Sequence, residues 1–229
     1  MDLQSPPFVD RAQAGRKLAF ALASLGLRNG VVYALPRGGV PIGFEIAKAL
    51  HVPLDLCLVR KIPAPGQPEL ALGAVVDGKR PQLVVNEIVQ QLTGASAAYL
   101  EKEKARGLAE IERRRRLYFG GRAQIDPAGK TAIVVDDGLA TGATARAAIQ
   151  ALRRQGAGRV VLAVPVAPKD TAKSMRLEVD DLVCLLEPAN FGGVGGYYAD
   201  FHQLSDDEVL DCLSRAETEL PSSPLPKDL

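Results

Sequence analysis

The sequence TAIVVDDGLATGAT, residues 131–144, limits the possible folds of this chain more than any other stretch. Residues 132–135 are apolar and mostly β-branched, which predicts a buried strand. Two adjacent carboxylates end this run, and a loop of small residues follows over 138–142. From Thr144 onward, apolar residues recur on one helical face, and Gly156 stands where a helix C-terminal cap belongs. The stretch therefore predicts a strand, an acidic pair, a small-residue loop and a helix.

The predicted loop suits an anion, because backbone N–H groups of a glycine-rich turn can approach a ligand closely at the start of a helix. Thr141 and Thr144 add hydroxyl donors. Asp136 and Asp137 precede the loop, where carboxylates can accept hydrogen bonds from vicinal hydroxyls or help to hold a hydrated divalent cation. A ligand with a phosphate and a diol a ribose-width apart would match both groups. The alternative is a simple strand-to-helix turn in which an aspartate caps the helix.

The sequence VVDDGLATGAT resembles the phosphoribosyl pyrophosphate (PRPP) signature of the type I phosphoribosyltransferases. This resemblance implies that Asp136 and Asp137 contact the ribose hydroxyls of PRPP, act in catalysis, and bind Mg²⁺ indirectly through PRPP and water. It also implies that the loop binds the 5′-phosphate of PRPP. The loop residues concerned are Gly138, Leu139, Ala140, Thr141, Gly142, Ala143 and Thr144.

A second glycine loop, LPRGGVPIG at residues 35–43, follows another apolar run. Gly38 and Gly39 permit unusual backbone angles and close ligand approach, and Pro41 suits the first turn of a helix. A plain turn is the alternative interpretation. By the same resemblance, this is the pyrophosphate-binding loop, in which Arg37 and the amides of Gly38 and Gly39 hold the leaving group.

Lys61 stands at the end of the next predicted strand, residues 54–59. Orotate-type members of the family place a lysine at a comparable strand end, and the resemblance implies that Lys61 stabilises the departing pyrophosphate. A solvated basic strand end is an equally simple interpretation. Residues 62–72 occupy the place of the mobile catalytic loop of the family, although prolines crowd this segment.

Residues 62–118 as a whole are predicted to form this flexible loop followed by a helical or hairpin insertion. Within it, residues 95–117 are rich in helix-forming side chains and should form a long helix. Four consecutive arginines, residues 113–116, lie at its end. A basic helix terminus is usually a solvated face that complements the helix dipole, and contact with nucleic acid is the alternative.

Residues 187–220 are predicted to form a small C-terminal hood and the terminal helix after it. This segment concentrates aromatic residues in a chain with only 5% of them. Phe191, Tyr197 and Tyr198 are therefore candidates to stack on the acceptor base, and the alternative is that they cover the sheet edge. Ala140 stands where hypoxanthine-guanine members of the family carry a third acid, which argues against a standard 6-oxopurine acceptor.

Five apolar runs separated by glycine loops or helical segments predict an α/β fold with a doubly wound, five-stranded parallel sheet. Both glycine loops must reach one ligand, so their strands should be neighbours in a 2-1-3-4-5 order. We expect a single phosphoribosyltransferase-like domain over 1–229 with a frayed tail at 221–229. Apolar residues make up 47% of the chain, which supports a sizeable core.

The composition also limits which binding partners, metal sites and cellular locations are expected. A net charge of +1 gives no general attraction to nucleic acid or membranes, and two histidines make a multi-histidine metal site implausible. No apolar run is long enough to span a membrane, and three scattered cysteines suit a reducing compartment, so the cytoplasm is the expected location.

The resemblance implies a transferase that moves the 5-phosphoribosyl group of Mg²⁺-PRPP to a small heterocyclic base and releases pyrophosphate. Mg²⁺ is the implied cofactor and a homodimer the expected assembly. The main alternative is a non-catalytic regulator that senses PRPP or nucleotides on the same fold. A PRPP synthetase relative is disfavoured because 229 residues are few for its two-domain build and no ATP-site pattern occurs. No Walker A sequence and no GxGxxG motif occurs, so P-loop NTPase and dinucleotide-binding interpretations lack their key loop.

Overall fold

The computed structural model describes residues 6–78 and 81–222, so the predicted tail lies outside the described residues from 223 onward. The helices are α1 Arg11–Ala23, α2 Gly39–Leu50, α3 Glu87–Thr93, α4 Ala97–Phe119, α5 Ala143–Arg154, α6 Lys169–Met175 and α7 Asp206–Glu219. The strands are β1 Gly30–Ala34, β2 Leu54–Leu56, β3 Val59–Ala64, β4 Gln67–Val76, β5 Gln82–Val85, β6 Thr131–Val135, β7 Arg159–Val166 and β8 Asp181–Leu186. None of the helices in the described part of the chain has the length and hydropathy needed to cross a bilayer.

The main sheet has five parallel strands in the order β2-β1-β6-β7-β8, which confirms the predicted 2-1-3-4-5 arrangement. Every residue of β1 and β6 is buried, as expected for central strands covered on both faces. Alternate side chains face opposite layers: Val32 and Ile133 join the core under α1 and α2, whereas Val31 and Ala132 join the core under α5. Helices on both faces make this a doubly wound α/β fold.

The insertion after β2 is a second, antiparallel sheet of three strands, β3-β4-β5, followed by α3 and the long helix α4. The prediction of a loop over 62–72 is wrong about the secondary structure, because β3 runs to Ala64 and β4 begins at Gln67. Pro63 misled the sequence interpretation, but it sits at a register shift between β3 and β4, where a residue without an N–H is tolerated. Whether this hairpin moves stays a prediction.

The hood occupies residues 187–205, between β8 and α7, and contains a 3₁₀ turn at Val194–Tyr197. The N-terminal segment anchors it: the Phe8 N–H donates to the Tyr197 carbonyl at 3.1 Å, and the Ala199 N–H donates to the Phe8 carbonyl at 2.8 Å. A capping box between Ser205 and Glu208 begins α7. The hood is therefore tied to both ends of the described chain.

Candidate active site

The two predicted anion loops meet at the carboxyl ends of β1 and β6. These strands pair in register along their length, and the Leu35 N–H extends the pairing to the Val135 carbonyl at 2.8 Å. A Cβ atom on Gly39 would lie 2.5 Å from the Val135 carbonyl oxygen, and one on Gly38 would lie 2.0 Å from Asp137 Oδ2. Any larger residue would collide at both positions, so the glycines allow the first loop to rest directly against the acidic pair.

The acidic pair consists of two carboxylates with different surroundings. Asp137 Oδ2 accepts a hydrogen bond from Arg11 Nε at 3.0 Å and lies 2.9 Å from Arg11 Nη2. The Asp137 carbonyl accepts a further bond from the Tyr198 hydroxyl at 2.6 Å. Asp136 Oδ1 accepts from the Asp137 N–H at 2.9 Å, and its side chain lines the cavity over the second loop. Asp137 is therefore fixed by an ion pair with Arg11, whereas Asp136 lines a cavity that is large enough for a ligand group.

Both carboxyl groups have pKa values above the ordinary range of aspartate. Burial is the main cause for each, because it penalises the charged form. The charge of Asp137 raises the pKa of Asp136 further, while Lys61 and Arg11 oppose that rise. Arg11 also opposes the rise at Asp137. A bound cation or a set of hydroxyl donors would relieve the repulsion between the two acids.

Backbone contacts fix the second loop, residues 138–142, over the start of α5. The Leu139 N–H donates to the Val166 carbonyl of β7 at 2.9 Å, and the Thr171 hydroxyl donates to the Ala140 carbonyl at 2.9 Å. Gly142 precedes α5 with a φ of 73°, a left-handed conformation that favours glycine, and it supplies no side-chain cap. A helix start without a capping side chain at its N-cap residue is an arrangement that favours an anionic ligand.

A cavity of about 200 Å³ lies over this loop. Its lining residues are Lys61, Asp136, Gly138, Leu139, Ala140, Thr141, Gly142, Ala143, Thr144, Ala145 and Val194. Every predicted residue of the phosphate loop is among them. Lys61 reaches the cavity from β3, whereas Val194 reaches it from the hood. Val194 packs closely on Gly138, because a Cβ atom added to Gly138 would lie 2.6 Å from Val194 Cγ1. Larger cavities along α4 and between β4 and α5 lack paired acids in their walls.

Arg37 lies in the first loop, after a cis peptide bond to Pro36, and is engaged by an acid of α7. Its Nη1 is 3.8 Å from Asp206 Oδ1, and both side chains are about one-third exposed, at 36% and 37%. The Tyr118 hydroxyl, near the end of α4, donates to the same Asp206 oxygen. An anion bound to the first loop would therefore compete with Asp206 for Arg37.

The three aromatic residues proposed for the acceptor have separate positions. Phe191 and Tyr197 are partly exposed and stack on each other, with ring centroids 5.7 Å apart. Tyr198 is only 4% exposed, and its ring packs between Phe8 and Phe201. The structure therefore favours the packing alternative for Tyr198, because its ring is enclosed by the core. Acceptor contact at Phe191 and Tyr197 stays a prediction.

Arg11 is a candidate site residue that the sequence interpretation missed. It lies on the buried face of α1 with Leu18 and Leu22, and it is itself 8% exposed. Its guanidinium carbon lies 4.0 Å from the centroid of the Phe201 ring, and its Nη1 donates to the His202 carbonyl at 3.0 Å. A charge within the apolar stripe of an amphipathic helix was the available signal, since such a charge requires a buried partner.

The acidic pair fits Mg²⁺ only as an ion shared with a ligand. Among the side chains that the structure describes, no group of three or more histidine, cysteine or acidic residues is arranged to hold a metal. Asp136 and Asp137 offer the oxygen atoms that Mg²⁺ prefers, and burial raises the pKa of both carboxyls, so a cation beside them would favour their charged forms. Mg²⁺ is commonly bound by one or two carboxylates together with substrate phosphates and water.

The basic end of α4 is internally paired. The arginines at 113–116 all lie within 4.0 Å of acidic partners, which are Glu110, Asp77 and Glu112. Glu110 has a pKa lowered to about 2, chiefly by its hydrogen bond from Arg113. These contacts support the interpretation of a solvated, ion-paired face rather than a surface for nucleic acid.

The chain is similar to known proteins over most of its length. The family model of the phosphoribosyl transferase domain matches residues 9–202. A protein found in two strains of Mycobacterium tuberculosis, provisionally named a phosphoribosyl transferase, is 48% identical over 210 residues, which cover 91% of this chain and 47% of the relative. This chain therefore spans about half the length of the curated relatives it matches. The solved structure of TT1426 from Thermus thermophilus is 42% identical, with a TM-score of 0.80, and the match covers 90% of this chain and 97% of that chain.

Proposed function

The chain belongs to the phosphoribosyl transferase family, and on that premise we propose that it transfers the 5-phosphoribosyl group of Mg²⁺-PRPP to a nitrogenous base. Pyrophosphate is the second product. The observation that carries the proposal is the direct contact between the two loops, where Gly38 leaves room for the Asp137 carboxylate. A sugar with phosphate groups at opposite ends and hydroxyls between them requires two anion sites with acceptors at their junction.

The loops divide the binding of PRPP between them. The second loop and the start of α5, residues 138–144, receive the 5′-phosphate in the cavity shared with Lys61. Asp136 and Asp137 accept hydrogen bonds from the ribose hydroxyls. The first loop, residues 36–39, receives the pyrophosphate with its amides and with Arg37, which must leave Asp206 to do so.

The reaction breaks the bond between C1 of the ribose and a pyrophosphate oxygen, and forms a bond between C1 and a nitrogen of the acceptor. Positive charge develops on the ribose as the leaving group departs, so the carboxylates of Asp136 and Asp137 stabilise that charge if they lie beside the ring. Arg37 and Lys61 balance the negative charge on the departing pyrophosphate. When bound, Mg²⁺ supplies further positive charge to the phosphate oxygens.

In this proposal, two segments that line the cavity exclude water from the reaction. Lys61 belongs to the β3–β4 hairpin and Val194 to the hood, and both line the cavity over the second loop. Exclusion of water would strengthen the electrostatic contacts and protect an oxocarbenium-like transition state. We propose that the β3–β4 hairpin takes the role of the catalytic loop that the family resemblance implies at residues 62–72.

The acceptor is a small heterocyclic base that does not depend on a third acid at the loop, because Ala140 occupies that position. The exposed parts of Phe191 and Tyr197 supply apolar surface for stacking. A homodimer and a cytoplasmic location remain proposals as well. Sedimentation of the full chain tests the first of these, and cell fractionation tests the second.

A panel of purine, pyrimidine and other nitrogen bases with Mg²⁺-PRPP tests the function. We expect pyrophosphate release that depends on one base class and disappears in the double variant Asp136→Asn/Asp137→Asn. An Asp211→Asn variant, changed on the exposed face of α7, is the matched control and should keep its activity. PRPP binding without pyrophosphate release for any base would contradict the transferase proposal.

A further inference from the structure

Arg11 is held on several sides in the first turn of α1. Asp10 caps that helix by accepting a hydrogen bond from the Gln13 N–H at 2.7 Å, which fixes where the helix begins. The Arg11 guanidinium then lies over Phe201, donates to the His202 carbonyl and meets Asp137. A buried guanidinium with this many contacts has little freedom, so its acidic partner is also held in place.

We propose that Arg11 is a positioning residue for the proposed reaction. It fixes Asp137 by directing Nε and Nη2 at one carboxylate oxygen, Oδ2, and leaves Oδ1 for a ribose hydroxyl of PRPP. This inference rests on the proposed function for the identity of the ligand, but the geometry of the ion pair is independent of it.

The ion pair separates the roles of the two acids. Asp137 has a fixed cationic partner, Arg11. Asp136 instead lines the cavity, together with Lys61 of the inserted hairpin. Asp137 is thus the acid held by a fixed donor, and Asp136 is the acid placed toward the cavity.

The same contacts couple Asp137 to the hood. Arg11 touches Phe201 and His202, and the Tyr198 hydroxyl donates to the Asp137 carbonyl. The Asp137 side chain is therefore held by Arg11, which also contacts the hood. The Asp137 backbone is held directly by Tyr198 of the hood. The charged and titratable groups around the Asp137 carboxylate are Arg11 from α1, Asp136 from its own loop and Tyr198 from the hood.

The first experiment separates ribose binding from anion binding. Arg11→Met keeps apolar contact with Phe201 and removes the charge. We expect PRPP affinity to fall by about tenfold or more, the usual effect of losing a partly buried charged hydrogen bond. Affinity for inorganic phosphate, which probes the anion loops alone, should change by less than about twofold because no phosphate contact is removed. Arg16→Met is the matched control, since Arg16 is on the same helix, is exposed and faces Glu45 at 3.4 Å.

Two further variants exclude a merely structural role. Arg11→Lys keeps the charge but loses the two-nitrogen contact, so it should fold and recover part of the PRPP affinity. The double variant Arg11→Met/Asp137→Asn should bind PRPP no more weakly than Asp137→Asn alone, because both changes remove one interaction. Full additivity of the two losses, or equal loss of phosphate binding, would overturn the proposal.

The third measurement does not need PRPP. Crystal structures of the unmodified chain and of Arg11→Met should show the Asp137 carboxylate in one position with the arginine and displaced without it, and Arg11→Lys, which loses the two-nitrogen contact, serves if the methionine variant does not fold. An Asp137 carboxylate that keeps its position in the variant would reject the positioning role even if PRPP binds normally. Failure of the unmodified chain to bind PRPP would instead reject the proposed function, and the crystal structures would still decide the role of Arg11.

Discussion

Asp55 of β2 and Asp136, which directly follows β6, are aspartates of the same sheet that differ in how many hydrogen-bond donors surround their carboxylates. Asp55 is fully buried, and its oxygens accept from the Ile125 N–H at 2.6 Å, the Leu56 N–H at 2.9 Å and Arg122 Nη2 at 3.1 Å. Asp136 accepts from the Asp137 N–H and otherwise lines a cavity. The carboxylate oxygens of a structural acid accept hydrogen bonds from fixed protein donors. A ligand-binding acid keeps acceptor positions available on the side that faces the cavity.

The pKa values of these acids express the same difference. Burial raises the pKa of Asp55 to about 6, and the Ile125 N–H and Arg122 limit that rise. Burial also raises the pKa of Asp136, but a like charge on Asp137 adds to the effect. The protein therefore compensates the structural acid with donors, whereas the charged form of Asp136 is disfavoured without a ligand or cation beside it.

The largest effect should come from the double variant Asp136→Asn/Asp137→Asn. We expect PRPP affinity to fall by about a thousandfold, since two charged acceptors for ligand hydroxyls are lost. Calorimetric titration measures the loss, and circular dichroism should show an intact fold. Retained PRPP affinity would mean that the acids only cap the turn and would remove the contrast with Asp55.

Asp55→Ala should affect stability instead of binding. The change leaves two backbone N–H groups and the Arg122 guanidinium without their acceptor, so the free energy of unfolding should fall by about 3–4 kcal/mol. Chemical denaturation measures this, with the exposed Asp211→Ala as a control expected within about 0.5 kcal/mol of the unmodified chain. PRPP affinity per folded molecule should be unchanged, and a selective loss of affinity would contradict the assignment of Asp55 to the fold.

Asp136→Asn alone should stabilise the protein at pH 7, by about 1 kcal/mol, because burial and the charge of Asp137 disfavour the charged form of Asp136. The folded pKa of Asp136 is raised, so its ionisation costs stability above that pKa and costs nothing below the unfolded value of 3.8, where both states are protonated. The melting temperatures of the variant and the unmodified chain should therefore converge as the pH falls below about 4. A constant difference across pH would show that charge is not the cause.

The smallest effect concerns Asp206, an acid between the two extremes. Asp206→Asn weakens the pair with Arg37, whose side chains are about one-third exposed, so pyrophosphate affinity should rise by about two- to threefold. Competition with a labelled ligand measures this change. Arg37→Ala is the opposing control, and it should weaken pyrophosphate binding more than nucleotide monophosphate binding. Reduced pyrophosphate affinity in Asp206→Asn would mean that Asp206 helps Arg37 instead of competing for it.

Much of the main sheet could be predicted from the sequence because its signals are local. The buried strands β1 and β6 are continuous apolar runs, and the two glycine loops fixed which strands must be neighbours. Close approach of a ligand at the glycines stays a prediction, and the sequence did not show that the atoms nearest Gly38 belong to Asp137.

The parts that could not be predicted depend on contacts between distant segments. Arg11 and Asp137 are 126 positions apart, and nothing near either residue names its partner. The sequence leaves ligand stacking and core packing both open for Tyr198 because aromatic residues suit either, and the position of Phe8 distinguishes the two. The prolines of residues 62–72 predict a loop because a proline within a strand is tolerated only at an irregularity, which the sequence does not mark at Pro63.

The pairing of the N-terminal segment with the hood has a consequence for biosynthesis. Translation makes Phe8 and Arg11 well before their partners Tyr197, Ala199 and His202, and Arg11 and His202 are 191 positions apart. Arg11 therefore has no hood to contact while the residues between them are being made. The contacts that hold Asp137 can be completed only after the hood has followed β8, the last strand of the main sheet, out of the ribosome.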